Sequence, residues 1–216
     1  MMKYLFPEIE WSKIKAVGFD MDGTLYDEFD FIQQAYKVIS TNFEKENKSD
    51  YCLLDFMLSR WLEKGSSYPY IFKETLDLAL IPENSKENLI QDALHVFRTF
   101  QPDISLSPRI EFFLKIFSKE YEIFIITDGS SQLQLNKIKS LKLDRFVSKN
   151  NIFISGNHGK GNEKPSLYSL NYISALKKSY TSEQIVFIGD RKNDSEFALK
   201  AGFQFIHAKN LLYKNE

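Results

Sequence analysis

Cysteine is nearly missing from this chain: Cys52 is the only one among 216 residues. An intrachain disulfide framework is therefore excluded, and a reducing compartment fits. An excess of either charge is missing too. The 28 Lys and Arg against 29 Asp and Glu leave a formal net charge of −1, too little to draw nucleic acid or an anionic membrane to the whole protein. No apolar run approaches the length of a membrane span. The first residues lack the apolar centre of a signal peptide, because Pro7 and Glu8 interrupt them. The expectation is a cytoplasmic protein with neither nucleic acid nor membrane as partner. No internal repeat or low-complexity segment is evident. His95, His158 and His207 are isolated, and His158 reads as an exposed loop residue.

What is abundant is core material. Hydrophobic residues make up 43% of the chain and aromatics 15%, ample for a core in a chain slightly longer than one average domain. The organising stretch is Gly18-Phe19-Asp20-Met21-Asp22-Gly23-Thr24. The apolar run Ala16–Phe19 reads as a buried strand, and the polar break marks its carboxyl end. Asp20 and Asp22 would share a face if the strand continued, and Gly23 permits a tight turn. Two like charges this close need a divalent cation or a shared proton between them.

From Phe29 to Phe100 the pattern is helical. Apolar sets recur at helical spacing: Phe31, Ala35, Val38, Ile39 and Phe43; Leu54, Met57, Leu58, Trp61 and Leu62; Phe72, Leu76, Ala79 and Leu80; Leu89, Ala93, Val96, Phe97 and Phe100. Asn84 or Ser85 is the expected cap of the last helix. Cys52 reads as a small helical hydrophobe. After Pro102 the grammar alternates. A helix opened by Pro108 leads to the strand Ile123–Ile126. A helix with Leu133, Leu135, Ile138 and Leu141 inward leads to the strand Ile152–Ile154. A polar loop and Lys164-Pro165 then precede a helix carrying Leu167, Leu170, Ile173 and Leu176. The strand Ile185–Ile188, a helix opened by Asp194 and a last strand over Phe203–Ile206 complete the chain. Alternation of this kind predicts an α/β fold, a doubly wound parallel sheet with helices on both faces. Ligands bind such sheets beyond the carboxyl strand ends. Three strands end there in polar residues, at Asp20/Asp22, Thr127 and Asp190.

Taken alone, each of these residues has an ordinary role as well. Thr127 could hold a phosphate oxygen or cap a helix. Asp128 could simply cap. A lone Lys164 reads as a surface lysine, although an ammonium suits phosphate or a carboxylate. Asp194 could be a helix-start acid.

Together the motifs resemble the haloacid dehalogenase-like (HAD) superfamily of phosphohydrolases. Asp20-Met21-Asp22-Gly23-Thr24 is similar to its first motif, Thr127 its second, Lys164-Pro165 its third, and Gly189-Asp190 with Asp194 its fourth. The resemblance covers residues 15–24 and about 108–210. It implies a Rossmann-like HAD core over 1–28 and 103–216, with a helical cap over 29–102. It implies a Mg²⁺-dependent phosphatase acting on a small phosphorylated molecule. Asp20 would be the nucleophile and Asp22 the general acid/base. Asp20, the backbone carbonyl of Asp22, Asp190 and, directly or through water, Asp194 would serve the metal. Thr127, Asp128, Gly129 and Lys164 would serve the phosphate. A phosphosugar mutase keeps every one of these residues, and a non-catalytic binding protein on the same fold is the remaining alternative. Nothing in the cap matches a motif. Arg60, Arg98, Trp61, Tyr68 and Tyr70 are possible contacts there, with core or surface roles favoured for each.

Overall fold

The computed structural model describes residues 2–46 and 50–212. Five strands build one sheet: β1 (Ala16–Phe19), β2 (Glu122–Thr127), β3 (Ile152–Ile154), β4 (Ile185–Gly189) and β5 (Gln204–His207). Their order is β3-β2-β1-β4-β5, and every pairing is parallel. The helices are α1 (Met2–Leu5), α2 (Glu28–Glu46), α3 (Leu53–Lys64), α4 (Ile71–Leu78), α5 (Glu83–Thr99), α6 (Pro108–Glu120), α7 (Ser131–Ser140), α8 (Lys192–Ala201) and α9 (Lys209–Leu212). Among the described residues, no helix is long and apolar enough to cross a membrane.

The chain divides into two compact units, Met1–Asp27 with Ile104–Glu216, and Glu28–Asp103. In the first, β1 is the central strand and is buried along its whole length. The chain steps outward from β1 through β2 to β3, then returns to the other side of β1 for β4 and β5. That reversal makes the β1/β4 boundary a topological switch point, where adjacent loops part and leave a crevice. One face of the sheet packs Ala16, Phe124, Ile126, Phe187 and Phe197 into a buried cluster. Gly18 lies on this face between Phe124 and Phe187, whose ring centroids are 6.2 Å apart. A Cβ there would meet Phe124 at 2.2 Å and Phe187 at 2.7 Å, so only glycine fits beneath the two rings. On the other face Phe19 packs against Phe117 of α6. Trp11, from the lead-in, stacks on the same Phe117 ring at 6.0 Å. Helix α6 begins as the sequence predicts, with Pro108 in its first turn and Ser107 accepting a hydrogen bond from Ile110 N.

Several local expectations are corrected. The stretch after Pro165 is two short 3₁₀ segments, Leu167–Asn171 and Ser174–Lys177, rather than one α-helix. Its apolar residues recur at every third position, the period of a 3₁₀ turn and not of an α-helix. In α7 the inward residues are Leu133, Gln134 and Lys137, while Leu135 is half exposed. His158 is half-buried rather than exposed, stacked on Phe153 at 4.6 Å.

In the second unit, α2 buries Phe31, Tyr36 and Phe43. The rings of Tyr36, Phe43 and Phe97 all lie within 6.4 Å of Phe72. Val38 and Leu62, read as inward, face solvent. Cys52 precedes α3 and is exposed. Pro82, not Asn84 or Ser85, occupies the cap position of α5. Arg60 pairs with Glu74 at 2.6 Å, and Tyr68 donates to the same carboxylate. Trp61 donates to Ser66 at 2.8 Å.

Candidate active site

The carboxyl ends of β1, β2 and β4 bring the sequence-predicted residues together in the first unit. Asp20 follows the last residue of β1, and its N–H still donates to Ile188 O of β4 at 2.8 Å. Its carboxylate is buried and accepts from Lys164 Nζ. The same ammonium lies 2.7 Å from Asp194 Oδ1 and 3.1 Å from Ile126 O. Lys164 is thus a buried ion-pair centre, not a surface lysine. Its loop is held by Asp128, whose two carboxylate oxygens accept the Lys164 N–H at 3.1 and 3.3 Å.

Asp194 sits in the first turn of α8, where an acid also suits the helix dipole. Its Oδ2 accepts from Arg191 N at 2.9 Å, which fixes the loop carrying Asp190. Asp190 accepts from Thr24 Oγ1 at 3.4 Å and lies against Gly23, where a Cβ would meet Asp190 Oδ2 at 2.4 Å. Gly23 has φ of +76°, so it serves both the turn and this close approach. Ligand oxygens of Asp20, Asp190 and Asp194 all lie within 4.8 Å of one another. Three clustered carboxylates, two of them sharing one buried lysine, form a donor set that suits a hard divalent cation.

Thr127 ends β2. Its hydroxyl is buried and has no hydrogen-bond partner among the described residues. Such an atom, one residue after the Ile126 carbonyl that accepts from Lys164, is where an oxyanion would find a donor. Gly129 and the Asp128 carboxylate are placed differently. Gly129 N donates to Ser155 Oγ at 3.2 Å, and Asp128 braces the lysine loop.

The Asp22 carboxylate stands outside the acidic cluster. Lys137 Nζ is 2.6 Å from its Oδ1, Tyr26 OH donates to the same oxygen, and Gln134 Nε2 donates to Oδ2 at 3.1 Å. Gln134 Nε2 also donates to Asp128 O at 2.7 Å. Gly129 leaves room for it, since a Cβ there would meet Gln134 Nε2 at 2.5 Å. Gln134 and Lys137 are the site residues that the sequence reading missed, because it looked for apolar positions on the inner face of α7.

The electrostatics follow from these partners. Burial pushes the Asp20 carboxyl up to about 8, with Asp194 and Asp22 adding to the shift and Lys164 opposing it. Burial would also raise Asp22, but Lys137, Tyr26 and Gln134 outweigh it and hold this carboxyl below the usual range. Burial likewise disfavours the Lys164 ammonium, yet Asp20, Asp194 and Asp128 outweigh it, so the ammonium persists above its ordinary range.

Comparison with known proteins identifies the family. The family model of haloacid dehalogenase-like hydrolases matches residues 17–208. A phosphoglycolate phosphatase of Aliivibrio fischeri is 25% identical over 200 residues, spanning 88% of this chain and 81% of the relative. The fold is similar to a HAD-superfamily hydrolase of subfamily IA from Geobacter sulfurreducens, with a TM-score of 0.70, 18% identity, and coverage of 90% of this chain and 87% of that one. It is also similar to a magnesium-bound HAD hydrolase from Bacillus subtilis, with a TM-score of 0.63, 18% identity, and coverage of 94% and 90%. With a buried Asp-x-Asp turn at the centre of its sheet and a family match across nearly its whole length, this chain belongs to the haloacid dehalogenase-like hydrolases.

Proposed function

We propose that the protein is a Mg²⁺-dependent phosphohydrolase that cleaves a small phosphate monoester through an aspartyl-phosphate on Asp20. The observation that carries this reading is the buried Asp20–Lys164 pair at the carboxyl end of β1, with the buried, unpartnered Thr127 hydroxyl at the end of neighbouring β2. A carboxylate nucleophile, an ammonium and a hydroxyl donor are what phosphoryl transfer to a protein acid requires. The phosphatase relative and the magnesium-bound structural neighbour support the same reading.

Asp20 attacks phosphorus while the bond to the ester oxygen breaks. Asp22, ionised in the resting site, takes up a proton as the anionic ester binds beside it, gives that proton to the departing oxygen, and regains one from the water that hydrolyses the aspartyl-phosphate. Lys164 and Thr127 hold phosphoryl oxygens. Asp20, Asp190 and the backbone carbonyl of Asp22 would hold Mg²⁺, with Asp194 fixing the Asp190 loop. The bound ion would neutralise charge on the phosphoryl group. Asp128 and Gly129 act by bracing the Lys164 and Gln134 positions. Residues 28–103 carry none of these groups, and we assign them to substrate selection.

A panel of small phosphate monoesters tests the proposal. Wild type should release inorganic phosphate with Mg²⁺ present, and release should vanish with EDTA or in Asp20→Asn. An isomeric phosphate ester formed without inorganic phosphate would make the protein a mutase. Turnover unchanged in Asp20→Asn would remove the nucleophile assignment.

A further inference from the structure

Helix α7 turns a lysine and a glutamine toward Asp22, and hydrophobic burial does not account for either. Lys137 is 2% exposed and Gln134 is also 2% exposed. Burying an ammonium is costly, and replacing a buried ion pair by apolar residues is often neutral or stabilising. Stability alone therefore gives little reason for the pair. The Asp22 carboxylate is gripped from two segments at once, by Tyr26 from the turn after β1 and by Gln134 and Lys137 from α7. Gln134 ties that grip to the loop that carries Thr127, through Asp128 O. The Lys137 ammonium also lies 6.0 Å from the Tyr26 ring centroid, so the two Asp22 partners support each other.

Without this grip, Asp22 would face the buried Asp20 carboxylate with nothing to hold it in place, and the two like charges repel. We propose that Lys137, assisted by Gln134, is a positioning residue for the acid–base step, holding the Asp22 carboxylate beside but outside the Asp20–Asp190–Asp194 cluster. This inference rests on the reading of Asp22 as the general acid/base.

Leaving-group dependence of kcat/KM tests it, because kcat/KM reports the transfer to Asp20, before the hydrolysis step that both esters share, and a general acid matters there only where the departing oxygen needs a proton. Wild type, Lys137→Met, Lys137→Arg, Gln134→Leu and Asp22→Ala are compared on an alkyl phosphate and on 2,4-dinitrophenyl phosphate, with Mg²⁺ present. Lys137→Met should lose about 100-fold in kcat/KM on the alkyl ester, the scale of a misplaced catalytic group. It should lose little in kcat/KM on the dinitrophenyl ester. Lys137→Arg should recover part of the loss. Gln134→Leu, which keeps the ion pair, should show the same pattern more weakly, and it carries the test should Lys137→Met not fold. An equal loss on both esters, or none on either, in the folded variants would overturn the inference. Asp22→Ala separates the two failures. If it discriminates between the esters and the α7 variants do not, only the positioning role falls. If Asp22→Ala does not discriminate, the acid–base reading itself falls.

Discussion

Asp20 and Asp22 are one residue apart, yet they sit in opposite electrostatic settings. Asp20 shares Lys164 with Asp194, in a cluster that also holds Asp190. That side has more carboxylates than cations in close contact, and burial pushes the Asp20 carboxyl up to about 8. Asp22 is paired with Lys137, with Tyr26 and Gln134 as added donors, and its carboxyl is held below the ordinary range despite burial. The first setting is left with surplus negative charge, whereas the second is balanced by Lys137 within the chain. On the proposed function, Asp20 becomes the ionised nucleophile only when a cation offsets its raised pKa, whereas Asp22 is held by partners within the chain.

The comparison can be broken most directly at Asp20. Asp20→Asn should lower phosphate release by about a thousandfold or more, the scale seen when a nucleophile is removed. Lys164→Met should come next. It leaves Asp20 and Asp194 adjacent without their cation, at a cost of roughly 3–5 kcal/mol in stability. Because Mg²⁺ would neutralise the same carboxylates, thermal denaturation should show the ion restoring part of that loss. It should restore none of the loss in Lys137→Met, and equal restoration in both would erase the distinction between the two settings. Asp190→Ala should then weaken Mg²⁺ activation about 10-fold or more, against little change in Asp22→Asn, by metal titration of activity. That figure follows the scale of lost support at metal sites. The smallest effect is on acid stability. An Asp22 pKa below its unfolded value favours the fold above about pH 4 and loses that contribution as pH falls. The gap in melting temperature between wild type and Asp22→Asn should therefore narrow below pH 4.

The sequence made the sheet readable because its central strands are short, wholly apolar and cut off by polar residues. Ile152–Ile154 matches β3 as read, and the ends at Asp20, Thr127 and Asp190 adjoin as the parallel arrangement requires. The α7 side of the site was not readable by the same rule. Helical periodicity sorts residues by hydrophobicity, so Leu135 was placed inward and Lys137 was passed over, although Leu135 is half exposed and Lys137 is buried. Only a buried partner reverses that preference, and the partner, Asp22, lies 115 positions away in the chain. A hydrophobicity pattern contains no trace of it. A glycine two residues after Thr127, leaving room for a side chain at 134, was the one local hint. The stretch from Leu167 to Leu176 failed for a different reason, since a three-residue repeat was read with a 3.6-residue ruler.

The Lys137–Asp22 pair also constrains how this chain can drift. A change at position 137 alone strands a buried carboxylate, and a change at position 22 alone strands a buried ammonium. Each single step is penalised, while a joint replacement by apolar residues is tolerated by the fold and forfeits the proton donor. The two positions are therefore expected to vary as a unit among descendants. A relative that has abandoned the acid should have abandoned the lysine too, and would mark a lineage whose leaving group departs unprotonated.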